Sequence, residues 1–156
     1  MSDALTHINA KGEAHMVDVS DRDVTVRTAL ATGKVLLSPK VLALIADGTA
    51  PKGDVLATAR IAGILGAKKT PELIPLCHPL AISKITVDCD VAQDGVKISA
   101  FVKIADKTGV EMEALTAVSI AALTIIDMVK ALDPHASIVD VRVEEKDGGR
   151  SGAWKR

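Results

Sequence analysis

The sequence predicts an α+β fold: a ferredoxin-like antiparallel sheet covered on one face by helices, one of them long and buried. Three observations carry this. Ile85, Val87, Cys89 and Val91 alternate with polar residues, Asp94-Gly95 makes a turn, and Val96, Ile98, Ala100, Val102 and Ile104 alternate again, the pattern of a hairpin with one wet face. From about Val110 to Leu132 the chain reads as one helix whose middle, ALTAVSIAALTII, is apolar nearly all round, as in a helix buried on most sides. The element order strand, helix, helix, hairpin, long helix, strand is best packed with the helices on one face of an antiparallel sheet.

Taken in order, residues 1–15 carry no periodicity and are expected to be mobile. Val17 to Val19 and Val24 to Leu37 read as extended; Val24, Val26, Thr28 and Leu30 alternate with Thr25, Arg27 and Ala29, a half-buried strand pattern. Ser38-Pro39 opens a helix, Ser as a cap and Pro at the first helical position, with Val41, Leu42, Leu44 and Ile45 as its apolar face and Gly48 as its stop. A second helix, from about Gly53 to Ala67, is built of small residues. Its internal glycines cost helix stability and make sense where another backbone packs closely. Pro71, Pro75 and Pro79 break regular structure around LIPLCHPL. After the hairpin and the long helix, Val139, Val141 and Val143 share one face of a last strand, Ile138 to Glu144. The basic, Gly-rich end, 146–156, is expected to be mobile. With no internal repeat or linker, residues 1–156 read as a single domain.

Composition narrows the function. A formal net charge of -1 gives no basic excess for nucleic acid or an anionic membrane. The only aromatic side chains are Phe101 and Trp154, too few for a base-stacking RNA module. The apolar run at 114–126 is shorter than the roughly 20 residues of a membrane span. A hydrophobic fraction of 48% with so few aromatics favours a homo-oligomer, which buries more apolar surface than a monomer. Cys77 and Cys89 have neither disulfide-framework nor zinc-site spacing and fit a reduced, cytoplasmic setting; Cys89, on the apolar face of the hairpin, reads as packing.

Several groups have the types that chemistry needs. Glu111 and Glu113 begin the long helix, where acids also simply complement the helix dipole. Asp127 and Lys130 follow its apolar stretch; they read either as a helix-face ion pair or as a desolvated pair with perturbed proton affinity. Glu113 and Asp127 are 14 residues apart, about 21 Å along a helix at 1.5 Å per residue, too far for one compact centre in one chain. Either the substrate is long or, the reading favoured here, the site is completed across a subunit interface. His78 sits beside Cys77 in a loop pinned by Pro75 and Pro79, a platform for a fixed imidazole. Lys52-Gly53-Asp54, Lys68-Lys69 and the KDGGRSG segment from Lys146 are cation-bearing turns that suit phosphate as well as they suit solvent. No metal-ligand cluster, GxGxxG, HExxH or nucleophile elbow is present.

Taken together, AHMVDVS (14–20), PKGDVLATARIAGI (51–64), LIPLCHPL (73–80), KTGVEMEALTAVSIAALTIIDMVKA (107–131) and KDGGRSG (146–152) closely resemble the MoaC family of molybdenum-cofactor biosynthesis, over nearly the full chain. The resemblance implies a lyase acting on 3′,8-cyclo-7,8-dihydro-GTP, rearranging it to cyclic pyranopterin monophosphate and releasing diphosphate. It implies a hexamer, a trimer of dimers, with the site at a dimer interface. It makes Asp127 and Lys130 the acid/base pair and Lys52 and Lys146 essential lysines, with His78 and Glu111 in proton transfer. Leu76, Cys77, His78, Met112 and Glu113 become substrate-binding residues, with Arg27 and Lys69 as further basic positions near the pocket. Arg150 stands where the family often has Lys. No resident cofactor or metal is expected, though Mg²⁺ can accompany a triphosphate. The competing readings are a non-catalytic nucleotide sensor, an RNA-binding ferredoxin-like module and a purely structural oligomer; diphosphate release separates the first from the enzyme.

Overall fold

A computed structural model describes residues 7–156; the expectation for residues 1–6 lies outside the described residues. Strands β1 (Thr25–Leu36), β2 (Lys84–Ala92), β3 (Gly95–Asp106), β4 (Ser137–Asp147) and β5 (Trp154–Lys155) are joined with helices α1 (Pro39–Ala46), α2 (Val55–Lys68), α3 (Thr70–Leu73) and α4 (Glu111–Val129). The strands form one antiparallel sheet in the order β2-β3-β1-β4-β5. Its first four strands have the ferredoxin-like arrangement that the element order predicts. The hairpin forms as read, with Val91 paired to Val96 beside the turn.

Helices α2 and α4 cover one face of the sheet. On that face Val87 and Cys89 of β2 and Val96, Ile98, Ala100, Val102 and Ile104 of β3 are buried, as their alternation predicts. In β1 the buried set is Arg27, Ala29, Ala31, Gly33 and Val35, while Val26 lies exposed and Leu30 only half-buried on the other face, and Val24, just before the strand, is exposed. The sequence pattern makes the valines look like the core set. Packing prefers the small residues, because they let α4 approach the sheet closely. Val17 to Val19 runs extended but joins no strand.

Helix ends follow local chemistry. The Asp54 side chain accepts from Ala57 N–H at 2.9 Å and caps α2. Ser38 precedes Pro39, but its hydroxyl caps nothing; its own N–H instead donates to the buried Asp133 carboxylate at 2.7 Å, tying the start of α1 to the segment after α4. The Pro-rich loop contains the short turn α3, stabilised by Thr70 Oγ1–H donating to the Ala67 carbonyl at 2.9 Å.

Helix α4 is long and apolar enough to cross a membrane by composition, unlike the shorter run read from sequence, yet it packs against the sheet and α2 as the central core helix. Helix α2 runs antiparallel along it. Lys52 meets Asp127 near one end, and Gly63 faces Ala117 and Ala121 further along. A Cβ at Gly63 would stand 2.9 Å from the Ala117 carbonyl oxygen, and one at Gly66 2.7 Å from Ile120. The small-residue face of α2 thus exists so that two backbones can close on each other. The end of the chain, expected to be mobile, contributes the last two residues of β4 and the short β5, where Lys146 pairs with Trp154.

Candidate active site

The fold separates the chemistry into two groups, one at each end of α4. At the N-terminal end, a cavity of about 370 Å³ is lined by Leu76, Cys77, His78, Glu111, Met112 and Glu113, the residues the sequence singles out. Pro75 and Pro79 bracket the loop that brings the first three there. His78 Nε2–H donates to the Val17 carbonyl at 2.8 Å, which lays the 17–19 segment across the cavity. In the neutral ring this fixes the tautomer and leaves Nδ1 as the basic nitrogen.

Glu113 is the unusual member. It is 2% exposed, and burial pushes its carboxyl up to about 7; its own backbone N–H works the other way, and the Glu111 charge adds to the rise. The same burial, with the Glu113 charge beside it, raises the Cys77 thiol above its ordinary value. Glu111 is held differently, by an ion pair with Lys146 at 2.7 Å in which both side chains are largely covered. A bulge in β4 makes this possible. Ala31 pairs with Val143 but Leu30 with Glu145, so Glu144 is the extra residue and Lys146, opposite Ala29, turns onto the helix-bearing face. Lys146 Nζ also donates to Ser151 Oγ at 2.9 Å.

At the other end, Lys52 Nζ donates to the Asp127 carbonyl at 2.8 Å and lies 3.6 Å from its carboxylate, while Lys130 Nζ contacts the same carboxylate at 2.6 Å. The hydrogen bond from Lys130, reinforced by the charges of Lys130 and Lys52, holds Asp127 below the usual carboxylate range. The expectation of a desolvated pair is not met in this chain. Asp127 and Lys130 are 61% and 60% exposed, because they lie on the solvent-facing stripe of α4 with Leu123. Following a buried run in sequence does not place a residue on the buried side of a helix.

The remaining basic positions join neither group. Lys69 pairs with Glu72 at 2.8 Å and does not line the cavity. Arg27 is buried, with Nε–H donating to the Asp106 carbonyl at 3.1 Å, and lines a separate cavity with Arg22 and Arg150. Sequence reasoning passed over Arg22, which lines both cavities. Set between Asp21 and Asp23, it reads as part of a solvated charge run. Among the described residues no three His, Cys, Asp or Glu side chains group as metal ligands.

Chemically, the first group offers a buried acid that changes protonation near neutrality and an oriented imidazole on a cavity of mixed polar and apolar lining, with the Lys146 ammonium reaching it only through its ion pair with Glu111. The second offers two ammonium groups around one carboxylate, suited to a phosphate and to moving a proton.

Comparisons with known proteins place this arrangement. The model of the MoaC family matches residues 16–149. The chain is 66% identical over 154 residues to a cyclic pyranopterin monophosphate synthase of Streptomyces avermitilis, covering 99% of this chain and 91% of the relative. It is 59% identical over 153 residues to the enzyme of that name from Dinoroseobacter shibae, covering 97% of each. It is also 56% identical over 155 residues to cyclic pyranopterin monophosphate synthase 2 of Mycobacterium tuberculosis, covering 99% of this chain and 93% of the relative. With that match and these relatives, the chain belongs to the MoaC family.

Proposed function

We propose that this chain is a cyclic pyranopterin monophosphate synthase: a lyase that converts 3′,8-cyclo-7,8-dihydro-GTP to cyclic pyranopterin monophosphate with release of diphosphate, in molybdenum cofactor biosynthesis. The observation that carries the reading is the sorting of the site residues into two chemically different groups at opposite ends of α4. One suits a heterocycle whose protons must be moved. The other suits a phosphorus centre.

The cavity by Leu76, Cys77, His78, Met112 and Glu113 binds the ring system. Glu113 and the His78 imidazole donate or accept hydrogen bonds as the purine ring opens and the pterin closes, with Glu111 and Lys146 as a coupled acid/base pair beside them. At the second group, a sugar hydroxyl oxygen attacks the innermost phosphorus. A new P–O bond forms, the bond to the bridging oxygen breaks, and its electron pair leaves with diphosphate. The hydroxyl proton passes to the Asp127/Lys130 pair, while Lys52 stabilises the charge that develops on the phosphoryl oxygens. Arg27 and Lys69 serve as further cations for the triphosphate. The reading requires no resident cofactor; Mg²⁺ enters only with the triphosphate, as part of the substrate.

The two groups are about 21 Å apart along α4, so one reaction centre draws them from different protomers. The working form is a homo-oligomer, a hexamer built as a trimer of dimers, in the cytoplasm. Ile61, Leu65 and Leu123, at 67%, 57% and 54% exposed on α2 and α4, support this, since such side chains are natural interface residues. Incubation with the cyclised nucleotide should release diphosphate and form the pterin product. Lys130→Ala or Asp127→Ala should lower turnover by roughly three orders of magnitude or more with fold and assembly unchanged. Retained turnover in either variant would overturn the assignment.

A further inference from the structure

Three of the chain's six arginines, Arg22, Arg27 and Arg150, line one cavity of about 380 Å³ beside the ring-binding cavity. None of the three forms an ion pair among the described residues, whereas Arg142 and Arg156 are both committed to Glu144. Asp21 and Asp23 line the same cavity, both exposed and neither within ion-pair distance of a guanidinium, so the lining keeps a net positive charge.

The geometry is built rather than incidental. Arg27 is buried and oriented by its Nε–H donating to the Asp106 carbonyl at 3.1 Å, which leaves the two terminal nitrogens for other partners. Gly149, at φ +78°, packs on that guanidinium; a Cβ there would collide with Arg27 Nη1. The glycine therefore lets the chain pass close over the arginine and carry Arg150 to the same cavity. Arg22 is positioned from the other side. Its N–H donates to the Val19 carbonyl at 3.1 Å, and Lys107 Nζ, from the β3–α4 connection, donates to the Ser20 carbonyl at 2.6 Å. Arg22 also lines the ring-binding cavity, so the two spaces meet at its side chain.

We propose that Arg22, Arg27 and Arg150 form a diphosphate cradle that holds the two outer phosphates of the substrate and the diphosphate group as it departs. The assignment of substrate rests on the function proposed above; the anion specificity rests on the arginines alone. Guanidinium groups offer paired N–H donors matched to phosphate oxygens, and three of them suit a group carrying several negative charges. When the bond between the innermost phosphorus and the bridging oxygen breaks, that oxygen takes the electron pair, and the charge lands on a group already held by these donors. Lys52 and Lys130 then act at the innermost phosphorus, and the arginines at the leaving end.

Isothermal titration of the assembled wild-type protein with inorganic diphosphate tests this without turnover. Binding should weaken at least about tenfold in Arg22→Gln/Arg150→Gln, stay within about threefold in Arg150→Lys, and be unchanged in the surface control Lys40→Gln, with thermal midpoints unaltered. The double variant should also raise KM for the cyclised nucleotide more than it lowers kcat. The inference falls if wild-type protein binds no diphosphate, or if the double variant binds it normally while Lys52→Gln does not. Failure of wild-type protein to turn over the cyclised nucleotide would sink the proposed function instead, and the diphosphate titration would still decide the cradle.

Discussion

The two ends of α4 carry acids of similar intrinsic strength and treat them in opposite ways. Glu113, at the N-terminal end, is 2% exposed, and burial pushes it up to about 7. Asp127, fourteen residues on, is 61% exposed, and Lys130 and Lys52 hold it down. The difference lies in azimuth and neighbours. Glu113 faces a walled cavity, while Asp127 lies with Leu123 and Lys130 on the solvent-facing stripe. The first end is therefore enclosed within one chain, and the second lies open; under the proposed oligomer a partner surface would cover it.

Mixing two inactive variants breaks or sharpens this comparison most directly. Glu113→Gln and Lys130→Ala damage opposite ends of α4. If each centre combines the N-terminal end of one protomer with the C-terminal end of its partner, a mixed dimer has one doubly damaged site and one intact site. Co-refolded or co-expressed variants should then recover roughly a quarter of wild-type activity per protomer, from a background lower by orders of magnitude. Verified mixed assemblies with no recovery would mean that each site is built within one chain.

The enclosed acid makes the next largest prediction, in stability. The Glu113 pKa is raised above its ordinary value of 4.5, so the folded protein binds this proton more tightly than the unfolded chain does. Stability from this group is full below about pH 4.5 and is lost as pH rises to about 7 and beyond. Glu113→Gln should be more resistant to urea than wild type at pH 8, by at most about 3 kcal/mol, and should lose that advantage near pH 4.5. Equal urea midpoints at pH 8, at matched protein concentration, would show that the carboxylate is not desolvated in the assembled protein.

Packing between the ends comes third. Gly63→Ala puts a methyl group 2.9 Å from the Ala117 carbonyl oxygen and 3.2 Å from Ala121 Cβ. Glycine to alanine within a helix ordinarily stabilises by up to about 1 kcal/mol. Here overpacking should reverse the sign, with a net loss of about 1–2 kcal/mol read as a lower urea midpoint. Since α2 carries Lys52 towards Asp127, turnover should fall more than at a comparably destabilising site in α1, such as Ile45→Val.

Much of this arrangement is legible in the sequence, and the misses have physical causes. The hairpin is legible because one face of β2 and β3 is buried and the other is wet, so alternation reports the fold directly. The small face of α2 is legible because interior glycines have a cost that only close packing explains. The buried face of β1 is not, since Ala29 and Ala31 are chosen for size, and the larger Val24 and Val26 fall outside the helix-covered area. Asp127 and Lys130 are visible as chemistry but not as exposed groups, because sequence gives their spacing along α4 and not the direction they face. Arg22 is hidden by its acidic neighbours; only the fold shows that it turns towards two cavities.

The exposed end of α4 makes the smallest prediction and the one of opposite sign. The Asp127 pKa is lowered from its ordinary value of 3.8 by the hydrogen bond and charge of Lys130 and the charge of Lys52. Its contribution to stability is therefore present above about pH 4 and lost as pH falls through the folded value, the reverse of Glu113. Asp127→Asn should be slightly less stable than wild type at pH 7 and equal to it at low pH, and raised salt should shrink the difference, because an exposed pair is screened. Should the assembled protein show a large, salt-resistant effect instead, the pair is covered there. One helix would then hold two desolvated acids, one buried by its own chain and the other by its neighbour.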